Sequence, residues 1–311
     1  MFHVNELCIA SADGAAGYAC NPFESRRDPV KVLVPVDNSE HSRVPIDVLL
    51  MREWPDGTEI KILSVVDLII SAGEAEQFVG TVVERVKKKF PHATVSSAVI
   101  VGESKDIILE QAANWPADLV VMGARGRRGL ARILLGSVSQ TILLYGSCST
   151  LIARRPGGVG DLRLQRVLVA IDNSDHSRKA LDWIIKLPWP KGAEIKLIGV
   201  LNPLADAHGD GFSALYKSNL ALERSKAIDH TQKFLINSGE KLNSVLPNKI
   251  TTQVLEGAPG EQILQKASEW DAQLIVMGSR GHGGLSKLWL GSVSQEVVLQ
   301  APCPVEVIRN T

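Results

Sequence analysis

Short apolar runs alternate with amphipathic stretches along the first half of the chain. The runs VKVLVPV, EIKILSVV, TVSSAVIV, DLVVMG and STLIA are rich in β-branched residues, which is typical of strands covered on both faces of a sheet. Between them, apolar residues recur at helical spacing in 46–50, 78–90 and 107–115. Because parallel strands need long crossover connections, this alternation predicts an α/β fold with a parallel, doubly wound sheet.

The same organisation occurs a second time along the chain. KVLVPVDNSEHSR at 31–43 matches RVLVAIDNSDHSR at 166–178, and EIKILSVVD matches EIKLIGVLN. The copies differ in the connection between their second and third strands, which is longer in the second copy and lies within 203–248. Such internal similarity indicates a duplicated domain.

The duplication divides the chain into four parts. We predict an N-terminal extension at 1–29 that need not be ordered, a first domain at 30–155, a linker at 156–165 and a second domain at 166–311. A chain of 311 residues with 45% hydrophobic and 22% charged residues is long enough for two such globular domains.

Charge and hydropathy exclude several classes of partner. The 34 basic residues balance the 34 acidic ones, so nothing favours nucleic acid or an anionic membrane as a partner. No apolar stretch approaches the roughly 20 residues of a membrane-spanning helix. The first residues lack the basic and apolar segments of a signal peptide.

The four cysteines contain no CxxC pair. Cys148 and Cys303 fall at matching positions in the fifth predicted strand of each copy, where we expect buried thiols and not metal ligands or nucleophiles. This cysteine usage fits a reducing compartment, so we expect a cytoplasmic protein.

A repeated glycine pattern carries the clearest functional signal. GARGRRGLARILLGSVSQ at 123–140 returns as GSRGHGGLSKLWLGSVSQ at 278–295, each time directly after the fourth predicted strand. In doubly wound sheets, ligands bind beyond the carboxyl ends of the strands. Glycine lets the backbone approach a ligand closely, and the first amides of a helix favour an anion. We therefore predict a phosphate-binding cradle in each copy, with Ser137 as the N-cap of the first cradle's helix.

Two better-known phosphate motifs do not fit this pattern. The P-loop GxxxxGK[ST] requires a lysine that is absent after the last glycine, and the spacing also differs from GxGxxG. A P-loop site and a Rossmann dinucleotide site are both disfavoured.

With these motifs, the chain resembles a tandem universal stress protein of the ATP-binding type. Both copies carry the family signature G-x2-G-x9-G-[ST]. The resemblance implies two five-stranded parallel sheets with the strand order 3-2-1-4-5, which pair through their fifth strands within one chain. It also implies ATP, with Mg²⁺ or Mn²⁺ held by the phosphates, and leaves room for further homodimerisation of whole chains.

The resemblance implies one adenine-nucleotide site in each copy. The site residues of the first copy would be Pro35, Val36, Asp37, Val65, Met122, Gly123, Arg125, Gly126, Gly136, Ser137, Val138 and Ser139. Those of the second copy would be Ala170, Ile171, Asp172, Val200, Met277, Gly278, Arg280, Gly281, Gly291, Ser292, Val293 and Ser294. The residues up to the methionine would surround adenine, with the aspartate accepting from its exocyclic amine, and the later ones would surround ribose and phosphates.

Two of these assignments have structural alternatives. Asp37 and Asp172 fit the turn before the first helix of each copy as well as they fit a nucleotide contact. Arg125 and Arg280 could reach phosphate or remain solvated.

The expected function is an ATP-binding regulatory or signalling module of the stress response, without catalytic residues. One alternative is a slow ATPase or autophosphorylating enzyme, although no dedicated general base accompanies the cradle. Another is a nucleotide-free dimerisation module. A relative that forms acyl-adenylates would need an SGGxDS-type loop, which PVDNSEHS lacks, and a flavin carrier would be yellow.

Overall fold

The computed structural model describes residues 28–39, 42–67, 72–124, 135–155, 164–202, 214–281 and 290–309. The strands in these ranges are β1 (Lys31–Val36), β2 (Glu59–Val66), β3 (Thr94–Val101), β4 (Leu119–Gly123), β5 (Ser149–Ala153), β6 (Arg166–Ala170), β7 (Glu194–Leu201), β8 (Lys249–Glu256), β9 (Leu274–Gly278) and β10 (Val305–Ile308). The helices are α1 (Arg43–Leu50), α2 (Ala72–Lys89), α3 (Ser104–Asn114), α4 (Ser137–Tyr145), α5 (Asp175–Lys186), α6 (Ala214–Asn243), α7 (Pro259–Glu269) and α8 (Ser292–Gln300). The apolar runs of the first copy coincide with β1 to β5 and its amphipathic stretches with α1 to α3, which confirms those predictions.

The described strands form a single sheet in the order β3-β2-β1-β4-β5-β10-β9-β6-β7-β8. Strands within one copy pair in parallel, whereas β5 and β10 pair antiparallel, with Ile152 opposite Val305. Each copy therefore has the order 3-2-1-4-5 in its own count, and the predicted doubly wound fold is confirmed. The antiparallel pair joins the copies through their fifth strands, as the family resemblance implies.

Helices cover both faces of the sheet. One hydrophobic cluster contains Val34 and Leu49 and lies under α1, α2, α5 and α6; we call this side face A. The other contains Leu33 and Ile142 and lies under α3, α4, α7 and α8; we call it face B. Neighbouring residues of β1 enter different clusters because side chains alternate along a strand.

The two outermost strands differ from the expectation of cover on both faces. In β3 and β8 most residues are exposed or half-exposed, and Val101 is 55% exposed. Among the described strands each of these two has a neighbour on one side only, and the exposure of their side chains shows that the expectation is wrong for them. It holds for the inner strands β4, β5 and β9, whose residues are almost all buried.

The longer connection of the second copy extends its crossover helix. The first copy crosses from β2 to β3 through α2, with 18 residues, and the second crosses from β7 to β8 through α6, with 30 residues. Leu235 and Leu242 of α6 are buried in the cluster on face A. The additional length therefore leaves the strand order unchanged.

The predicted buried thiols are confirmed. Cys148 and Cys303 are free and buried. Burial raises the pKa of the Cys148 thiol to about 11 and that of Cys303 to about 12, so both remain protonated at neutral pH.

An arginine at the end of each copy reaches across to a helix of the other copy. The Arg154 guanidinium donates to the carbonyl oxygens of Val298 and Leu299 (3.1 Å to Leu299), in the last turn of α8. The Arg309 guanidinium donates to the carbonyl oxygens of Leu143 and Leu144 (3.0 Å to Leu144), in the last turn of α4. Positive charge at a helix C-terminus is stabilising.

We expect Arg154→Met or Arg309→Met to lower the free energy of unfolding by about 1–2 kcal/mol, because two carbonyl oxygens lose a charged donor. Denaturant unfolding would measure the loss. Arg178→Met is the control, since Arg178 pairs with Asp175 at an exposed position and should matter little. Equal midpoints for all three variants would contradict a stabilising contact.

Candidate functional site

Three segments of the second copy meet at the carboxyl edge of its strands. β6 and β9 are adjacent, with Ala170 opposite Met277, and the chain leaves them toward different faces of the sheet. The Ser174 hydroxyl, in the turn after β6, lies 3.4 Å from the Arg280 carbonyl oxygen, in the loop after β9. The Gly291 amide, at the start of α8, donates to the Ser279 carbonyl oxygen at 2.9 Å. This is the position at which doubly wound folds bind ligands.

A buried serine fixes the first turn of the following helix to the end of the fourth strand in each copy. The Ser139 hydroxyl donates to the Gly123 carbonyl oxygen (2.7 Å), and the Ser294 hydroxyl donates to that of Gly278 (2.9 Å). Both serines are buried. Their hydroxyls therefore tie the start of the helix to the end of the strand, and these two bonds do not use the main-chain amides of the serines.

The prediction that Ser137 caps its helix is wrong. The N-cap of α4 is Gly136, and that of α8 is the matching Gly291; both have extended backbone angles and no side-chain capping bond. Ser137 and Ser292 are instead the first helical residues and are exposed. Serine is a frequent N-cap, but here the glycine amide takes the structural bond to the preceding loop, as Gly136 does to Ala124 (2.8 Å).

This arrangement presents main-chain amides at the start of both helices. The hydrogen-bond ladder of α4 starts with the Gln140 amide donating to Gly136, and that of α8 with Gln295 donating to Gly291, each at 2.9 Å. The amides of 137–139 and 292–294 precede these ladders, so they have no acceptor within their own helix. Because the N-cap is a glycine in both copies, no N-cap side chain occupies these six amides, and they form two anion-attracting helix starts.

The apolar site residues lie on both faces of the sheet. Val65 and Met122 are in the cluster on face B, Val138 packs against it, and half-buried Pro35 points the same way. The second copy repeats this with Ala170, Val200, Met277 and Val293. Val36 and Ile171 belong to face A, so a ligand on face B would meet only their main chain.

A carboxylate after the first strand of each copy organises the turn that follows. Asp172 Oδ1 accepts from the Ser174 amide (3.2 Å) and from the hydroxyls of Ser174 and Ser177 (both 2.6 Å). The Asp172 amide in turn donates to Ser177 Oγ at 2.9 Å. The first copy has the same four bonds, made by Asp37, Ser39 and Ser42. Both aspartates thus serve the turn, and their contact with a nucleotide stays a prediction.

Two glycines of the second cradle are required by packing within the protein. A Cβ at Gly278 would lie 2.8 Å from the Cβ of His176, and one at Gly281 would collide with Asp172 Oδ2. The missing side chains let the end of β9 and its loop approach the start of α5. Packing within the protein therefore accounts for glycine at these positions whether or not a ligand binds there.

Two arginines and a histidine lie close together near the second cradle. Burial and the nearby Arg280 guanidinium lower the pKa of His176, and burial and Arg280 likewise lower the pKa of Arg309. His176 is therefore neutral at pH 7, and the two arginines disfavour further positive charge.

Part of the first cradle lies outside the described residues, namely Arg125 and Gly126. Across the ranges that are described, no group of three or more metal-binding side chains occurs. In the same ranges, no helix has the length and apolar character needed to cross a bilayer.

A family model described as the universal stress protein family matches residues 30–154 and again residues 163–309. The chain belongs to the universal stress protein family. A universal stress protein of Mycolicibacterium smegmatis is 26% identical over 307 residues, which cover 89% of this chain and 96% of that protein. One of Thermus aquaticus is 34% identical over 145 residues, which cover 46% of this chain and 97% of that protein. The first of these relatives therefore matches most of the chain, and the second, along nearly its whole length, matches about half of it.

A solved structure of a universal stress protein agrees with this tandem organisation. The protein from Archaeoglobus fulgidus DSM 4304 has a TM-score of 0.60 and 26% identity, and the match covers 90% of this chain and 96% of that chain. A functionally unknown protein from Pseudomonas aeruginosa PAO1 has the same TM-score at 15% identity and shows the fold alone.

Proposed function

We propose that this universal stress protein binds ATP in both copies and acts as a regulatory module of the stress response in the cytoplasm. The observation that carries the proposal is the duplicated helix start, whose N-cap is a glycine and so has no side chain that could occupy the first amides. In each copy, three consecutive amides precede the helix ladder, and a buried serine ties them to the end of the fourth strand. Such a start suits a phosphate chain.

The surroundings of the cradle suit the remainder of the nucleotide. The apolar residues of face B that end β1, β2 and β4 would contact the adenine ring, and ligand sites are commonly apolar with a few polar groups. The phosphates would hold Mg²⁺ or Mn²⁺, as the family resemblance implies, since Mg²⁺ is usually bound through the phosphates of a nucleotide. The buried free thiols fit a reducing compartment.

Regulation would follow from ordering by the nucleotide. A ligand shifts a conformational equilibrium only through different affinities for the two states. The loops after β4 and β9 carry the cradle glycines, so bound phosphate would favour one arrangement of these loops. A partner protein that contacts the loops could then sense the nucleotide.

Native mass spectrometry of the purified full chain tests the proposal directly. We expect adenine nucleotide at up to two molecules per chain, either co-purified or after addition of ATP with Mg²⁺. GTP is the matched control, since it carries the same phosphates on a different base. A chain that stays free of nucleotide at millimolar ATP would rule out the proposed function.

A further inference from the structure

A buried ion pair joins the two copies on face A. Arg52 follows α1 in the first copy, and Glu306 lies in β10 of the second. Arg52 Nη1 lies 2.8 Å from Glu306 Oε2, and the two side chains are 2% and 0% exposed. The Trp183 indole Nε1 donates to the other carboxylate oxygen, Oε1, at 2.8 Å. Both oxygens of this carboxylate are therefore partnered.

The guanidinium of Arg52 is enclosed by aromatic rings from both copies. Its central carbon lies 5.0 Å from the ring centroid of Trp54 in the first copy and 5.3 Å from that of Trp189 in the second. Its Nη2 is buried and has no hydrogen-bond partner among the described residues. Desolvation makes such a buried pair weak evidence for stability, whereas removal of one partner leaves a costly unpaired charge. Stability alone therefore does not explain why an ion pair is buried at this position.

The pair breaks the internal symmetry of the chain. MREWPDG of the first copy aligns with KLPWPKG of the second, so Leu187 matches Arg52. CSTLIAR aligns with CPVEVIR, so Leu151 matches Glu306. Both leucines are fully buried. One side of the interface thus pairs charge with charge, whereas the symmetry-related positions hold two buried leucines of the same hydrophobic cluster.

This asymmetry decides which copies can pair. Leu151 and Glu306 lie directly opposite each other where β5 meets β10. Two first copies paired in this way would bury two Arg52 side chains against leucine. Two second copies would place two Glu306 carboxylates opposite each other, with Leu187 in place of the arginine. Each like pair buries two uncompensated charges, and like charges directly opposite are destabilising.

We propose that Arg52 and Glu306 make the fifth-strand interface specific for a first copy paired with a second copy (an unlike pair). The same two residues disfavour a pair of two first copies or of two second copies (a like pair). The partner of each copy is thereby restricted to the other half of a chain of this sequence. Specificity of this kind relies on a repulsive element in the wrong pair as well as an attractive one in the right pair.

The double variant Arg52→Leu/Glu306→Leu tests the proposal, because it installs at each position the leucine of the other copy. A protease site in the linker at 156–165 allows the folded full-length chain to be cleaved after purification. Native mass spectrometry of the cleaved protein then counts like and unlike pairs of halves. We expect unlike pairs only in the wild type, and like pairs in addition in the double variant.

The two halves of each cleaved chain start as an unlike pair, so the count is meaningful only after halves have exchanged between molecules. Mixing isotopically labelled with unlabelled cleaved protein reveals this exchange as pairs of intermediate mass, and like and unlike pairs are counted once such mixed pairs have formed. Abundant like pairs in the wild type would overturn the proposal. So would exclusively unlike pairs in the double variant after exchange.

Unfolding of the uncleaved chain gives a second measurement. Arg52→Leu alone and Glu306→Leu alone each leave one buried unpaired charge, so we expect both to unfold at lower denaturant than the double variant. Losses that simply add in the double variant would show that neither charge depends on the other and would contradict the proposal. Lys87→Leu is the control, since it alters an exposed pair with Glu84 within α2.

Discussion

Replacing Gly136 and Gly291 by valine is expected to abolish the stabilisation of the chain by ATP while leaving the fold in place. Both glycines have extended backbone angles, φ −63° and −66°, which valine adopts readily. A Cβ at Gly291 would lie 3.3 Å from the Ser279 carbonyl oxygen and 3.4 Å from the Arg280 Cα. These distances are short, but a small shift of the neighbouring atoms would accommodate the valine side chain. We therefore expect the added methyl groups to narrow the cradle and to leave the hydrophobic core in place.

Thermal unfolding with and without ATP measures the effect. At ATP concentrations 100-fold above Kd, the wild type should gain about 2.7 kcal/mol for one occupied site, and the double variant should gain nothing. Each single valine variant should keep the gain of its intact site, which counts the sites independently. Gly80→Ala in α2 is the control, because a Cβ there meets no atom of the described residues within 4 Å. A double variant with the full wild-type gain would place the nucleotide elsewhere.

Local patterns were sufficient to predict the elements of the fold. The bounds of β2, β3 and β5 equal those of the apolar runs EIKILSVV, TVSSAVIV and STLIA, since each run ends at turn-forming or polar residues. The exposure of β3 could not be predicted in this way. It follows from the position of β3 at the outer edge, and strand order depends on contacts between distant segments.

The sequence predicted where the candidate site lies more accurately than it predicted the individual contacts within the site. The repeated GSVSQ indicated a helix start in each copy, but not that Gly136 would replace Ser137 as the N-cap. The paired turn serines, Ser42 and Ser177, were missed as partners of the aspartates, although their identical spacing from those aspartates in both copies was a usable signal. Hydroxyl groups can bond in several directions, so spacing alone does not select one.

The charge pair between the copies left no comparable signal. Arg52 and Glu306 are 254 positions apart, and the repeat offers leucine at both matching positions. An isolated arginine after a helix and an isolated glutamate in a strand each suggest an exposed residue. Only the antiparallel contact of β5 with β10 brings them together, so the two mismatched positions of the repeat do not by themselves show that they form a pair.

Asp172→Ala is expected to lower the free energy of unfolding by about 2–4 kcal/mol, because more than one buried donor would lose its acceptor. Asp172 Oδ1 accepts three hydrogen bonds, and the Ser174 and Ser177 side chains that supply two of them are 8% and 3% exposed. Water could not reach these hydroxyls without opening the turn. Asp37→Ala should have a similar effect in the first copy, where the same bonds recur.

Denaturant unfolding of the full chain measures both losses. Asp182→Ala is the matched control, since Asp182 makes an exposed ion pair with Lys241 and its removal should change stability little. Asp172→Asn keeps one carboxamide oxygen as an acceptor and should lose less than the alanine variant. If Asp172→Ala unfolds like Asp182→Ala, the turn does not depend on the carboxylate. Nucleotide contact would then remain the better explanation for an aspartate at this position in both copies.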